Sequence, residues 1–551
     1  MNFLLELIKL SNSLNLQKSL KNNKDLLIVE SPTKAKKISS FFRNLIVEAT
    51  LGHIKDLPEK EMGIDFSNFN LKFVWIKGKR KIMEKIKRIS KGRKVYIGTD
   101  PDREGEAIAY HVKKELGSYP SQIYRVEFKA ITKEEVSNAL KNAGDLNINR
   151  VYAQFARRAI DRIIGYTISP ILWRYFKNYN LSAGRVQSAV LFEIFKREME
   201  IRNFKPKIFW RIEANFLKDT KKFKILSKEK FEEKPEVEKE GYLTIEDIER
   251  KEEREKPPEP LKTSTLQQIC ANYFKISPET TMRIAQKLYE MGYITYHRTD
   301  SVRQEKSTIL KIRNLIKGLF GEKFLPEKPI IYRNKSKVQD AHEAIRPAKL
   351  DTSYFPENLN FENALERKIY EIIFKWTLAS QMEKAIWEKY KVKLKDNKNI
   401  EYELNLKFLK FEGWRKIFGY TKEEVYLPFR KGEMIKASFK LVKDETKPPG
   451  RYTEAKIIKW MEKTGVGRPS TYATTLKILK QRKYIDVKNR KIYLTRTGEN
   501  IARFLERNYK WLCDKNFTAQ MEEELDKIEI GEKKWKELLK EFLLQRKLDK
   551  I

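Results

Sequence analysis

Hydrophobic and polar positions divide the chain into stretches of different period. Residues 26–30 (LLIVE) form a short apolar run of strand length. It leads directly into SPTKAKKISSFF, where Ser31 has the place of an N-cap, Pro32 the first helical position, and apolar residues then recur at helical spacing. Residues 94–100 (KVYIGTD) running into EGEAIAYHVKKEL make a second strand-to-helix unit. Two such units predict an α/β domain whose functional groups gather at the carboxyl ends of its strands. From residue 131 to about 199 the period is helical, as in VYAQFARRAIDRIIGYTI. Residues 205–259 mix short β-type runs with dense charge and close on KPPEP. Helical patterning returns over 266–316, alternation of period two over 389–442 (YKVKLK, IEYELNLKF), and helices after that. A β-rich region split by a helical insert predicts nested domains that the chain enters and leaves twice.

Charge adds a partner to this picture. The 551 residues carry 115 Lys plus Arg against 76 Asp plus Glu, a net charge of +39. The excess is spread along the whole chain, which points to a long contact surface for a polyanion, nucleic acid before any other. Only Cys270 and Cys513 are present, so neither a disulfide framework nor a zinc site built from paired CxxC motifs is predicted, and a reducing, cytoplasmic setting is expected. No run of about 18 apolar residues exists to span a membrane as a helix. The opening MNFLLELIKL carries Glu6 and Lys9 within its apolar part and lacks a basic leader, which reads as a short amphipathic helix and not as a signal peptide.

Two short stretches carry candidate chemistry. In DPDREGE, Asp100, Asp102 and Glu104 alternate where a strand gives way to a helix, and Glu30 ends the other strand. Carboxylates converging there repel one another unless a cation neutralises them, and hard oxygen donors suit Mg²⁺, which can also help hold a phosphodiester. A calcium loop is the competing reading of Asp, Asp, Glu and Gly105, but its twelfth position would be His111, and a strand precedes it where that motif needs a helix. Lys34, in the first turn after Glu30, is a candidate phosphate ligand at a helix N-terminus. The second stretch is GYITYHRTDS, residues 292–301, which alternates like a half-buried strand. A phenol is a poor nucleophile at neutral pH unless a neighbour takes its proton or positive charge stabilises the transition state. Side chains at i and i+2 of an extended segment share a face, which sets Arg298 beside Tyr296. An aromatic in such a segment also serves as ordinary core, and the residues alone leave both readings open.

Taken in order, LLIVESPTKAKKI, GHIKDLP, GTDPDREGEAIAYHV, SAGRVQSAVL, TSTLQQ, GYITYHRTDS, QDAHEAIRP, VGRPSTYATTL and FTAQMEEELDKI resemble the type IA DNA topoisomerases, in the order and spacing of the bacterial topoisomerase I branch. The resemblance runs from about residue 26 to the C-terminus and takes in all four histidines, His53, His111, His297 and His342. It implies a multidomain protein with α/β, α-helical and β-rich parts, in which a toprim α/β domain belongs to a four-domain torus. The corresponding divisions are an extension at 1–25, toprim at 26–136, a helical DNA-binding domain at 137–202 and 448–551, a β-rich arch at 203–257 and 373–447, and a helical domain with the active-site tyrosine at 258–372.

The resemblance also implies roles. Tyr296 would form a 5′-phosphotyrosine bond with single-stranded DNA, another strand would pass, and the freed 3′-hydroxyl would reverse the reaction without ATP. No GK[ST] triplet exists, in keeping with that. Arg298 and Lys34 would stabilise the transition state, and Glu30 would move a proton at the 3′ oxygen. Asp100, Asp102 and Glu104, with Glu30, would bind Mg²⁺, and His342 would tune the site. Arg157, Arg158, Asp161, Tyr166 and Trp173 resemble the single-strand channel, where guanidiniums follow phosphates and rings stack bases; the two rings could equally be core. Ser182, Gly184, Arg185 and Gln187 of SAGRVQS, Arg468, Ser470 and Thr471 of GRPST, and His53 match DNA-contacting positions. The family often carries zinc-ribbon or basic tails, and no such cysteines follow FTAQMEEELDKI here. DNA is the expected partner and a monomer the expected state, close to the nucleoid. Two alternatives stand beside this: the topoisomerase half of a reverse gyrase split over two chains, docking an ATPase or helicase partner, and a toprim nuclease that cuts DNA by hydrolysis.

A charged fraction of 35%, rich in lysine, glutamate and isoleucine, suits a thermophile. Thermal unfolding followed by circular dichroism is expected above the mesophile range of about 45–65 °C; a midpoint inside that range contradicts this.

Overall fold

The computed structural model describes residues 24–334 and 342–546. The amphipathic segment expected at the N-terminus, MNFLLELIKL, lies outside them. Near the N-terminus, Asp25–Val29 is an inner strand of a four-stranded, wholly parallel sheet. Leu45–Ala49 pairs on one side of it and Lys94–Ile97 on the other, with Gln122–Arg125 outermost. An inner parallel strand is buried on both faces, which is why DLLIV is almost continuously apolar. Its two faces serve two cores. Leu26 and Ile28 pack with Met83, Ile86, Ile108 and Val112 from the helices Lys79–Ser90 and Arg103–Leu116. Leu27 and Val29 pack with Leu288, Ile294, Tyr296 and Ile369, from the part of the chain that bears the candidate tyrosine. One strand therefore ties the carboxylate-bearing sheet to the tyrosine.

The helix starts are fixed locally, the first as the sequence predicts. Ser31 Oγ accepts the Lys34 amide (3.2 Å) and Pro32 opens the helix Pro32–Phe41. Asp102 Oδ1 accepts the Gly105 amide (2.8 Å) at the start of Arg103–Leu116. Gly105 leaves no alternative, because a Cβ there would lie 2.2 Å from the Asp100 carbonyl oxygen.

The long helices Ile148–Phe176 and Arg185–Arg202 share one core with six helices near the C-terminus, from Glu454–Thr464 to Trp535–Arg546. The chain enters a six-stranded antiparallel sheet twice, contributing Ile208–Lys218, Lys221–Leu226 and Glu240–Glu255 and later Ala385–Asp396, Glu401–Phe411 and Met434–Glu445. Two divisions expected from sequence cut continuous helices. A boundary at 136 falls inside Lys133–Lys141, and one at 373 falls inside Ala364–Ala379, whose Ile369, Ile373 and Leu378 pack with the tyrosine-bearing segment. Periodicity marks a helix but not the core it faces. Among the described residues no helix is long and apolar enough to cross a membrane.

A smaller aromatic cluster joins the first domain to the long helix. His111 lies 4.4 Å from the Phe73 ring and 5.8 Å from Phe155, and Trp535 packs on Phe155 from the C-terminal helix. Burial, helped by the charges of His53 and Lys55, lowers the His111 pKa to about 4. Unfolding returns it to about 6.5, so the unfolded chain binds more protons between these values. Stability supplied by neutral His111 is complete above about pH 6.5 and is lost as pH falls towards 4, by about 2–3 kcal/mol. Thermal midpoints measured across that window should fall less steeply for His111→Phe than for the wild type; equal slopes contradict the assignment.

Candidate active site

The site lies at the carboxyl ends of the two central strands. Glu30 follows Asp25–Val29, and its Oε1 accepts the Asp100 amide (2.8 Å), which links the ends of neighbouring strands. Lys34, on the first turn of its helix, is buried; its ammonium bonds Asp100 Oδ1 and stands 3.9 Å from Glu30 Oε2. Burial opposes the Lys34 charge, but Asp100 and Glu30 more than offset this and raise its pKa. Glu30 moves the other way from an ordinary carboxylate. Burial, and then the charge of Asp100, push it up to about 8, with Lys34 compensating only in part.

The stretch 292–301 is not a regular strand. It makes isolated pairings only, Thr295 with Ala130 and Ile294 with Pro347, and it is buried along most of its length instead of on alternate positions. Several of its polar groups are met inside the protein: Thr295 Oγ1 donates to the Ala344 carbonyl (2.9 Å), and Thr263 Oγ1 donates to the His297 carbonyl (2.7 Å). Tyr296 and Arg298 nevertheless meet the same group, although the chain bends at His297 and Arg298. The Tyr296 hydroxyl donates to Asp102 Oδ2 (2.6 Å), and Arg298 Nη1 lies 3.7 Å from that oxygen while donating to Glu104 Oε2 (3.0 Å). Burial, followed by the charges of Asp102 and Asp100, holds the phenol well above its ordinary pKa, and Arg298 pulls it back.

His53 sits on this same carboxylate, its Nε2 3.0 Å from Glu104 Oε1. The hydrogen bond from His53, then Arg298, hold Glu104 down to about 2 against burial. The His342 ring centroid is 6.3 Å from that of Tyr296, and burial together with Arg150 lowers its pKa. Sequence reasoning missed Tyr289. Its ring meets Tyr296 edge-on at 5.2 Å, the Lys34 ammonium stands 5.2 Å from its ring centre, and its hydroxyl donates to the Phe128 carbonyl (3.2 Å). Its helical spacing marks it only as core. Glu106, the next acid in DREGEA, was also passed over; it is fully buried and bonded by Arg125 Nε (2.9 Å), whose guanidinium also holds the Thr99 and Asp100 carbonyls.

Among the described residues no three carboxylates stand ready as a ligand cluster, contrary to the set expected from sequence. Each is held by a protein group instead: Asp100 by Lys34, Asp102 by Tyr296 and the Gly105 amide, Glu104 by His53 and Arg298. The donor set still fits a hard cation. It is all oxygen, and Glu30, Asp100, Asp102 and Glu104 come from the ends of two neighbouring strands, with Lys34 bonded to Asp100 and close to Glu30.

The residues expected on DNA divide into two groups. Asp161, Ser182, Gly184, Arg185, Gln187 and Thr471 line one groove of about 720 Å³. Arg157 reaches across beside it, Nη1 donating to Ser470 Oγ (3.3 Å). Within the groove Arg185 is not a free guanidinium: it is 2% exposed and paired with Glu522 (2.7 Å) and Asp161 (3.4 Å), so it shapes the floor. Arg468 is likewise held by Asp526 (2.7 Å), which also takes Arg103 from the first domain. The second group faces the GHIKDLP loop or the core. Arg158 binds Asp56 through two bonds (2.8 and 2.6 Å), the Tyr166 hydroxyl donates to the Glu59 carbonyl, and the Trp173 indole donates to the Leu181 carbonyl (2.6 Å) while packing on the helical core. Trp173 is thus a packing residue in this arrangement, the reading left level with base stacking by its sequence.

The family model for DNA topoisomerase matches residues 145–540, and that for the Toprim domain matches residues 25–131. DNA topoisomerase 1 of Aquifex aeolicus is 43% identical over 535 residues, 94% of this chain and 98% of that one. DNA topoisomerase 1 of Thermotoga maritima is 40% identical over 538 residues, covering 95% and 84%. The solved structure of full-length topoisomerase I from Thermotoga maritima superposes with a TM-score of 0.83 at 38% identity, over 94% of this chain and 89% of that one. With a phenol and an arginine set on the acidic ends of a parallel sheet, and with family matches that together span nearly the whole chain, this protein belongs to the type IA DNA topoisomerases of the bacterial topoisomerase I branch.

Proposed function

We propose that this chain relaxes negatively supercoiled DNA without ATP, acting as a monomer in the cytoplasm, by cutting one strand with Tyr296, letting another pass and rejoining the cut. The observation that carries the assignment is the 2.6 Å bond from the Tyr296 hydroxyl to Asp102 Oδ2, with Arg298 at the same carboxylate. As the phenolic oxygen bonds to phosphorus, its proton passes to Asp102, the group it already faces. The bond from phosphorus to the 3′ oxygen breaks, and the leaving oxygen takes a proton from Glu30, whose raised pKa keeps that proton available near neutral pH. Rejoining runs the same transfers backwards. One phosphodiester replaces another, so no ATP is required.

Arg298 and Lys34 supply the positive charge that the pentavalent transition state needs. Arg298 shares itself between Asp102 and Glu104, and His53 holds Glu104 from the other side, so the guanidinium can turn to phosphate while Glu104 keeps a partner. Glu30, Asp100, Asp102 and Glu104 are the residues that would hold Mg²⁺, which when bound would add charge that orients the phosphodiester for rejoining. The groove between Ser182 and Thr471 would carry the single strand to be cut, with Arg157 and Ser470 at its edge. The divisions at 26–136, 137–202 with 448–551, 203–257 with 373–447, and 258–372 remain the working domain scheme, with the two helix-cutting boundaries moved to the helix ends.

Relaxation of a supercoiled plasmid tests this. Tyr296→Phe should abolish relaxation while binding single-stranded DNA within a few-fold of wild type. Arg298→Ala should slow strand cleavage by roughly 10²–10³-fold, the scale for loss of one transition-state donor. Nicked DNA released without attached protein would favour the hydrolytic nuclease instead.

A further inference from the structure

The helix Lys79–Ser90 lies on the first domain and has no part in the chemistry above. Residues 77–94 carry ten lysines and arginines and a single acid, Glu84. The helix buries Met83, Ile86 and Ser90. Its exposed positions are Arg80, Lys81, Glu84, Lys85 and Arg88, with Lys77 and Lys91 exposed just beyond its ends. Glu84 is taken by Arg80 (3.1 Å), and Lys85 is paired with Glu48 (2.8 Å). Lys77, Lys81, Arg88 and Lys91 have no acidic partner among the described residues.

This arrangement works against the helix that bears it. Lys79, Arg80 and Lys81 stand at the positive end of the helix dipole, and no acid occupies the first turn. Lys81 and Lys85 are like charges four residues apart, as are Lys87 and Lys91. Lys87 and Arg88, in the last turn, suit the dipole, but the cations of the first turn do not, and a face of this charge points to a negative partner. The face is also continuous with the active site. Lys79 Nζ donates to the Thr50 carbonyl (3.3 Å) and to that of Leu51, in the loop that leads to His53. The helix precedes the strand Lys94–Ile97, whose carboxyl end delivers Asp100, so the helix N-terminus lies at the site end of the sheet and Lys91 at the far end. Twelve residues span about 18 Å.

We infer that this face is a track for the phosphate backbone of double-stranded DNA adjoining the strand held in the active site. Surfaces for unpaired strands combine cations with exposed rings on which bases stack, and none of the exposed positions of this helix is aromatic. Point charges along a straight rod instead suit the regular phosphates of a duplex, which position without reading sequence. The inference rests on the topoisomerase reading of the site.

The test compares two substrates on the full chain: a short single strand, and the same strand extended by a hairpin stem of about 15 base pairs, long enough to pass the helix. In the variant Lys81→Gln/Arg88→Gln/Lys91→Gln, affinity for the stem substrate should fall roughly tenfold at about 0.1 M salt. The slope of log affinity against log salt should become shallower by about 2–3. Affinity and adduct yield with the short strand should stay at wild-type level. Unchanged binding of the stem substrate overturns the inference, and so does an equal loss on both substrates. If the wild type forms no adduct at all, the assignment of Tyr296 fails, while the two binding comparisons still decide the track.

Discussion

Negative charge gathered at the carboxyl ends of two parallel strands, with Asp100 buried and Glu30 and Asp102 largely shielded from water, is the constraint around which this structure is arranged. Each carboxylate is met by a group from a different part of the chain. Lys34 arrives on the first turn of the first helix, His53 from the loop after the second strand, and Tyr296 with Arg298 from a segment nearly two hundred residues on. Glu30 keeps a strongly raised pKa because it is buried and faces the charges of Asp100 and Asp102, which Lys34 offsets only in part. A phenol that already bonds one carboxylate, beside a guanidinium shared between two, needs only small movements to exchange those partners for phosphate.

That convergence depends on packing. Leu27 and Val29 on one face of the first strand share a core with Leu288, Ile294 and Ile369, so the tyrosine-bearing segment is built onto the sheet that carries the acids. Polar links extend the arrangement to the C-terminal helices. Arg103 follows Asp102 directly and binds Asp526 and Glu529; Asp526 also binds Arg468, and Glu529 also binds Arg150. The acidic loop is thereby coupled, through Asp526 and Arg468, to the loop that places Thr471 at the groove. Buried guanidinium–carboxylate pairs of this kind are poor evidence for stability, but removing one partner leaves a charge stranded, which makes their geometry hard to vary.

Much of this was legible in the sequence wherever the cause is local. Ser31 and Pro32 mark their helix start through chemistry within three residues, and the alternation in YKVKLK and IEYELNLKF marks a sheet with one buried face. The neighbourhood of Tyr296 and Arg298 was legible from their spacing, although the chain bends at His297 and Arg298. What escaped depends on partners far apart in the chain. Arg185 looks like a phosphate ligand until Glu522 lies beneath it, and Arg158 until Asp56 takes two of its three nitrogens. The strand expected at 292–301 failed for a related reason: Thr295 is buried because the distant Ala344 carbonyl accepts its proton, and the His297 carbonyl because Thr263 donates to it, which alternation cannot reveal. Helical period likewise hid which core the helix Ala364–Ala379 joins.

The account stands on a covalent bond between the chain and DNA at one oxygen. Trapping the cleaved complex with a single-stranded oligonucleotide by rapid denaturation, digesting both components and sequencing the modified peptide by mass spectrometry addresses it directly. The predicted result is a nucleotide 5′-phosphate on the Tyr296 phenol and on no other residue. The modification on Tyr289 or elsewhere, or cleaved DNA with no peptide attached, would contradict it.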